Sequence, residues 1–557
     1  MKSEIMKVGD MNGRDDMQID EPKGLDLNHL RLYYGKLFPY ADMFRWLSYG
    51  NDGKHPACDN SYINRREFSF TLENDIYIRY QSFNNATEME NSIKEKCPVK
   101  IDIGPVYNVD LAKRTAYSKT GPVERELIFD IDISDYDDVR YCCAGGDVCL
   151  NCWPLMTAAI KVIDVALRDD FGFNHILWVY SGRRGVHCWV CDSKARRLGN
   201  AQRASIVDYF RVYKGGENSL RKVSLTGPVL HPFLVRSYTE VLKVIFEEKL
   251  LLNQKLLSSD ERCQRILEVI PDDSVAGELR DKWQRNQRSK SKQDIDIVRW
   301  DQLKQMLQSG KQKVQALRRC VEEIVFSYTY PRLDVEVSKH MNHLLKAPFC
   351  IHPKTGRICV PIDPNNCDDF DPRTVPTISQ LIDELNVGGM RAGSENDWER
   401  TSLGESIKFF RSSFLEPLLK SCKDELESSY SAKLQQSKNS LSWQEILFVG
   451  FRWNSTMFRG RYVKFTLFDE DYVALLIIQH RTTYLYFKLA PKRPLIVAVQ
   501  VPSGAHTQHA TVPVIEPDPV RNPTILPVPA LDSSVDDVGD DAEARPVMTS
   551  WAEGLGG

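Results

Sequence analysis

The sequence predicts an α+β protein with mixed sheets flanked by helices, in which a block of helices interrupts the strand-bearing core. Three observations predict it. Apolar residues alternate in "REFSFTLENDIYIRYQSF", "LIFDIDI" and "ILWVYSGRRGVHCWVC", which is the strand period. From about 193 to 328 the texture changes to Lys, Glu, Leu and Gln at helical spacing. Strand texture then returns at Pro331 to Val337 and Arg357 to Asp363. The chain has 557 residues, enough for three or four units of roughly 100–200 residues each.

Taken in order, residues 1–26 are polar and irregular and read as a disordered leader. Leu30, Tyr33, Tyr34 and Leu37 recur at helical spacing. Phe68, Phe70 and Leu72, then Ile76, Ile78 and Tyr80, alternate on either side of "END", the pattern of a hairpin. A helix runs from Pro154 to about Asp170, with proline at the first position and Leu155, Ala159, Ile163 and Leu167 on one face. A second hairpin follows, turning at "SGRRG". The first part of the core is thus expected over 27–212, a helical insertion over 213–325 and the rest of the core over 326–425. The insertion contains a basic run, "RDKWQRNQRSKSKQD", which reads as exposed or loop-like. In 426–557 three short strands are expected, around "YVKFTLF", "YVALLII" and "TTYLYFKL", and then a Pro-rich, acidic tail.

Composition narrows the class. Hydrophobic residues make up 42% and charged residues 27%, as in globular proteins. A net charge of −3 excludes a globally basic nucleic-acid binder but leaves room for a local basic groove. No apolar run approaches the roughly 18 residues of a membrane span, so no membrane partner is expected. The first residues lack an apolar signal core, so secretion is not expected. Outside a secretory context, the 14 cysteines point to thiols or metal ligands.

Four motifs carry chemistry. Asp130 and Asp132 alternate on one strand, so they share a face about 7 Å apart along the backbone. Two such carboxylates repel unless a cation lies between them, and oxygen ligands of this kind suit Mg²⁺ or Mn²⁺ carrying a substrate phosphate. In "SGRRGVH", Gly182 and Gly185 permit close backbone approach, while Arg183, Arg184 and His187 offer phosphate donors. In "RLDVEVSKHMNHLLKAPFCIHPKTGR", Asp334 and Glu336 are expected to share a strand face, and Asp334 completes a three-carboxylate set. His343, Lys346 and His352 are further donors. Cys142, Cys143, Cys149 and Cys152 follow C-C-x5-C-x2-C, four thiolates within eleven residues, which suits tetrahedral Zn²⁺. Cys188 and Cys191 read as core.

These stretches, with "FDIDISDYDDVR", "LWVYSGRRGVHCWVCD", "HPKTGRI" and "FDPRTVPTI", resemble the small, catalytic subunits of eukaryotic DNA primases over about residues 27–425. The resemblance implies a primase catalytic core with a zinc-binding element at 142–152 and the helical insertion. It implies template-directed synthesis of short RNA primers from ribonucleoside triphosphates on single-stranded DNA, with two Mg²⁺ or Mn²⁺ ions at Asp130, Asp132 and Asp334. It further implies an active-site role for Glu67 and positions near the nucleotide for Tyr77, Arg79 and Asp102. Triphosphate and sugar contacts are implied for Ser181, Arg183, Arg184, His187, His343, Lys346 and His352, and zinc ligation for the four clustered cysteines. A primase large subunit, the DNA polymerase alpha complex and the nucleus are the implied partners and place. His340 and Met341 depart from the family, which has a small residue after "VSK", and 426–557 matches nothing expected of it. Competing readings are a repair-type primase-polymerase, a DxD glycosyltransferase, and a zinc-containing nucleic-acid-binding scaffold without activity.

Overall fold

A computed structural model describes residues 25–213, 223, 225, 229–286, 294–308, 317–387 and 396–453, together with strands at 465–469, 472–479, 482–487 and 498–500. Side chains are described up to residue 438. The expected leader, except for its last two residues, the second half of the basic run and the Pro-rich tail lie outside the described residues. The chain divides into two compact units, Met1–Ser442 and Trp443–Gly557.

Two antiparallel sheets organise the first unit. In one, the strands β1 (Arg66–Thr71), β2 (Tyr77–Gln81), β3 (Lys100–Tyr107) and β4 (Pro122–Glu124) run in the order β2-β1-β3-β4. The other is built on β5 (Leu127–Asp132), β6 (Ile176–Tyr180) and β7 (Gly185–Val190). The short β8 (Leu345–Lys346) pairs with β3, whereas β9 (Pro361–Ile362) closes the second sheet in the order β5-β7-β6-β9. Both expected hairpins form, as β1–β2 and β6–β7. The sequence analysis did not single out β3: its apolar run holds Gly104 and Pro105, which obscure the strand period. A Cβ at Gly104 would lie 3.0 Å from the Glu67 Cβ, so the glycine lets β3 lie close against β1.

The helix Pro154–Asp169 begins at its proline, and Leu155, Ala159, Ile163 and Leu167 are buried as expected. Met156, Ile160 and Ala166 are buried too, because helical segments including Cys320–Thr329 pack against it. A helix apolar nearly all round belongs inside a core. Leu30, Tyr33, Tyr34 and Leu37 are fully buried. Cys188 and Cys191 are core residues. Between Pro232 and Gln308 the regular elements described are all helical, and none of the described helices is long and apolar enough to cross a membrane.

Four expectations need correction. Pro331 to Val337 is not a strand: Asp334 caps the helix Val335–Lys339, its Oδ1 accepting the N–H groups of Glu336 and Val337 at 3.1 and 3.3 Å. Aspartate is among the favoured N-caps, and this local bond outweighs the alternation of apolar residues. Glu336 therefore shares no strand face with Asp334; it points to solvent and meets His340 at 3.0 Å. Of Arg357 to Asp363, only Pro361–Ile362 joins a sheet, while Arg357 and Ile358 make isolated bridges. The basic run is not a loop throughout, since its first part lies in the helix Asp273–Asn286 and Trp283 is buried. A single helix, Glu416–Trp453, crosses residue 426, where a boundary was expected. His340 brings no strain to its turn, because its φ is −101°.

In the second unit the three expected strands form as β10 (Phe465–Asp469), β11 (Tyr472–Gln479) and β12 (Thr482–Phe487), paired antiparallel in chain order. A fourth strand, β13 (Ala498–Gln500), extends the sheet.

Candidate active site and metal centre

On strand β5, Asp130 and Asp132 share one face of the sheet, opposite His187 and Gly185 of the neighbouring β7 in register. Gly185 is required here. A Cβ at that position would lie 2.2 Å from the Ile131 carbonyl oxygen and 2.7 Å from Asp132 Oδ1. The third carboxylate arrives from a different segment, as the Asp334 backbone N–H donates to the Asp130 carbonyl at 3.0 Å.

Asp130 is the electrostatic centre. Its side chain is 24% exposed, yet Oδ1 is buried and accepts no hydrogen bond. Burial, and then the charges of Asp132 and Asp334, push its pKa up to about 7. A buried, unsatisfied carboxylate oxygen beside two other carboxylates is an all-oxygen donor set that fits a hard divalent cation such as Mg²⁺ or Mn²⁺. His187 Nε2 lies 3.6 Å from Asp130 Oδ1. Burial and Lys346 lower its pKa to about 3, so His187 is a neutral ring at pH 7.

Opposite the carboxylates stands a cationic wall. Lys346, paired in β8 with Asp102 of β3, donates to the Ser181 carbonyl at 2.6 Å. Ser181 closes the hairpin turn by accepting the Gly185 N–H on its hydroxyl at 3.0 Å, and Gly182 adopts φ 86° there. Thr355 donates to the Gly182 carbonyl at 2.7 Å, which holds the segment after His352 against the turn. Burial, with Lys346 and Arg183 next, lowers the His352 pKa to about 3. The two adjacent arginines diverge. Arg184 reaches Asp132 at 2.7 Å. The Arg183 guanidinium lies against Gly146 of the cysteine loop, where a Cβ would stand 2.3 Å from Nη2. His343 bonds locally, its Nδ1 lying 2.9 Å from the Leu344 carbonyl.

Glu67 plays a different part from the aspartates. It is fully buried, and its carboxylate accepts from Arg79 at 2.9 and 3.2 Å, from the Tyr107 hydroxyl at 2.9 Å and from the Tyr80 N–H at 3.3 Å. That set occupies both oxygens and orients Arg79 and Tyr80. Tyr80 adopts φ 59°, a costly conformation for an aromatic residue, within the irregular register between β1 and β2. Its ring lies between the Arg79 and Arg114 guanidinium carbons, at 4.8 and 4.4 Å. Tyr77 is half exposed and its hydroxyl lies 2.9 Å from Ser69 Oγ. Asp102 pairs with Lys100 at 3.0 Å.

The sulfur atoms of Cys142, Cys143, Cys149 and Cys152 all lie within 4.8 Å of one another, and those of Cys149 and Cys152 are 3.9 Å apart. Tetrahedral Zn²⁺ with Zn–S near 2.3 Å places sulfurs about 3.8 Å apart, so the group fits zinc. Burial, with the neighbouring sulfurs adding to it, raises the Cys152 thiol to about 12; a bound cation reverses that cost. Arg140 and Gln254 brace the loop, and sequence reasoning missed both. Arg140 is buried and donates to the carbonyls of Asp147 and Gly145 at 2.7 and 2.8 Å. Gln254, from the helical stretch, accepts the Tyr141 N–H at 2.7 Å and donates to the Asn151 carbonyl at 2.6 Å. Gln254 goes unmarked because its partners lie more than 100 residues away in sequence, and Arg140 because its acceptors on the neighbouring loop are mostly backbone carbonyls, which no residue type signals.

The family described as DNA primase small subunit matches residues 129–364, which contain the three aspartates, the arginine hairpin and the cysteine loop. The DNA primase small subunit of Schizosaccharomyces pombe is 39% identical over 413 residues, covering 73% of this chain and 87% of the relative. That of Drosophila melanogaster is 42% identical over 368 residues, 64% and 81% of the two chains. That of Saccharomyces cerevisiae is 37% identical over 413 residues, 72% and 96%. With this identity over nearly the whole length of such relatives, the chain belongs to the DNA primase small subunit family.

Proposed function

We propose that this chain is the catalytic subunit of a primase, a nucleotidyltransferase that builds short RNA primers from ribonucleoside triphosphates on a single-stranded DNA template. One observation carries the reading. The charges of Asp132 and Asp334 lie beside the buried, unsatisfied oxygen of Asp130, with Lys346 near it and Arg184 on Asp132. A polyanionic substrate bridging cations on one side and basic side chains on the other suits such a site.

Asp130, Asp132 and Asp334 would hold two Mg²⁺ or Mn²⁺ ions. Bound there, the ions supply activation of the attacking 3′-hydroxyl and charge neutralisation of the leaving pyrophosphate. The chain's own groups do the rest. Lys346, anchored by the Ser181 carbonyl, meets the phosphates with a fixed ammonium. His187 and His352 are neutral at pH 7 and offer ring N–H donors rather than charges. Arg184, now on Asp132, is placed to offer its guanidinium to a phosphate. Arg183 and His343 complete the triphosphate side. Glu67 acts by orienting Arg79 and Tyr80, while Tyr77, Arg79 and Asp102 line the nucleotide. The cysteine loop holds structural Zn²⁺. The partners in this reading are a primase large subunit and the DNA polymerase alpha complex in the nucleus.

The test is RNA synthesis on single-stranded DNA with labelled ribonucleotides, a divalent metal and no primer, for the wild type and Asp132→Ala. Short product from the wild type and none from a folded variant supports the reading. Product only when a primer is supplied favours a repair-type primase-polymerase. Silence of both proteins, even with a large subunit present, favours the inactive scaffold.

A further inference from the structure

Arg332 stands two residues before Asp334, in a stretch without regular structure. Its side chain is 12% exposed and touches three separate pieces of chain. Nη1 donates to the Asp135 carbonyl and to the Asp138 carboxylate, on the turn that follows Asp132. Nη2 donates to the Ser327 carbonyl at 3.1 Å, within the helix Cys320–Thr329. Nε donates to the Tyr213 hydroxyl at 3.3 Å. The rings of Tyr136 and Tyr213 lie 4.9 and 5.3 Å from the guanidinium carbon, and the Tyr136 hydroxyl accepts the Arg332 backbone N–H at 2.9 Å. Only a planar fork with several rigid donors serves so many acceptors while lying against two rings.

The location gives this arrangement its meaning. Asp130 and Asp132 are fixed by β5 and its turn, whereas Asp334 comes from a segment that crosses them. The Asp334 backbone N–H meets the Asp130 carbonyl, and like charges on three carboxylates brought to one place repel and work against that crossing. Arg332 ties this segment to the turn beyond Asp132, and its charge is met by Asp138 rather than by the aspartate trio. It therefore restrains the carboxylates without neutralising them.

We propose that Arg332 is a positioning residue for nucleotidyl transfer: it clamps the Asp334 segment to the turn at 133–138 so that Asp130, Asp132 and Asp334 stay within reach of the same divalent ions. The proposal rests on the reading of those aspartates as metal ligands.

The test uses the full chain, Arg332→Lys and Tyr213→Phe, with Asp132→Ala as reference. Lysine keeps the charge and the stem but cannot fork. Mn²⁺ binding to the nucleotide-free protein is followed by electron paramagnetic resonance. The kcat and KM for ribonucleotide and the thermal melt are measured alongside. Arg332→Lys is expected to weaken Mn²⁺ binding and lower kcat by about 10- to 100-fold, as loss of a ligand-orienting partner does, with KM within about twofold. Tyr213→Phe moves the same two quantities in the same direction by less, and it carries the test alone if the lysine variant does not fold. A lowered melting temperature with Mn²⁺ binding and kcat at wild-type values makes Arg332 an ordinary packing residue and overturns the proposal. A raised KM at unchanged kcat and Mn²⁺ binding makes it a substrate contact and overturns it too. A wild type that binds Mn²⁺ no better than Asp132→Ala removes the metal-site reading and the proposal together.

Discussion

Glu126 and Asp130 are close neighbours on one stretch of chain, yet their carboxyl groups are treated in opposite ways. Glu126 is fully buried and accepts the Tyr49 hydroxyl at 2.6 Å, Arg66 at 2.9 and 3.0 Å and Arg125 at 2.7 Å. Burial opposes its ionisation, but Arg66 and Arg125 overrule that and hold its pKa well below the usual carboxylate range. Asp130 has a buried oxygen with no donor and two like charges beside it, and its pKa rises to about 7. Glu126 brings its countercharges with it, and Asp130 does not. A fold that supplies such a set for one carboxylate and withholds it from its neighbour marks the second as a place where something else binds.

The widest separation between the two is expected in activity. Asp132→Ala should cut primer synthesis by about 1,000-fold or more, the loss of several kcal/mol of charge stabilisation, and leave the melting temperature unchanged or raised because a repulsion disappears. A stable variant with near-normal synthesis would break the comparison. Glu126→Gln should do the reverse. Leaving two buried guanidiniums without their carboxylate costs about 3–5 kcal/mol of stability, while turnover per folded molecule stays near that of the wild type, as chemical denaturation and active-site-normalised rates would record.

Acidity separates them with opposite sign. The folded pKa of Glu126 lies below its unfolded value, so its contribution is present above about pH 4.3 and is lost as pH falls further. The folded pKa of Asp130 lies above its unfolded value, so in metal-free protein stability is lost as pH rises from about 4 towards the folded value near 7. Melting curves in chelator should show that decline. Adding Mg²⁺ or Mn²⁺ should flatten it by holding Asp130 ionised, and Asp130→Asn should remove it. A metal-induced stabilisation that does not grow between pH 5 and pH 7.5 counts against the site. The smallest effect is expected from Tyr49→Phe, which removes one donor to a charged acceptor and costs about 1.5–3 kcal/mol without touching kcat.

The two clusters also differ in how far a sequence reveals them. Asp130 and Asp132 are visible because a period-two apolar strand makes two acidic interruptions stand out, and the cysteines because metal spacing is local. For Asp334 the sequence suggests a strand, whereas the residue is a helix N-cap whose backbone N–H meets the Asp130 carbonyl. The cluster around Glu126 leaves no trace in the sequence. Arg125 is its neighbour in sequence, but Tyr49 and Arg66 lie 77 and 60 residues away and meet it only in the folded chain, and "ERE" beside an apolar run reads as a polar strand end. The same holds for Arg332, whose acceptors come from three separate stretches of chain, and for Tyr80, whose left-handed backbone depends on a bond to Glu67. Hairpins, helix faces and the helical stretch are legible because their periods are local; the paths that bring separate segments together are not.

Gln254 carries a consequence of another kind. One amide side chain, 2% exposed, joins the helical stretch to both ends of the cysteine loop. Without those helices the Tyr141 N–H and the Asn151 carbonyl would lose this partner at the same time, so the shape of the cysteine loop and the packing of the helical stretch are coupled through one residue.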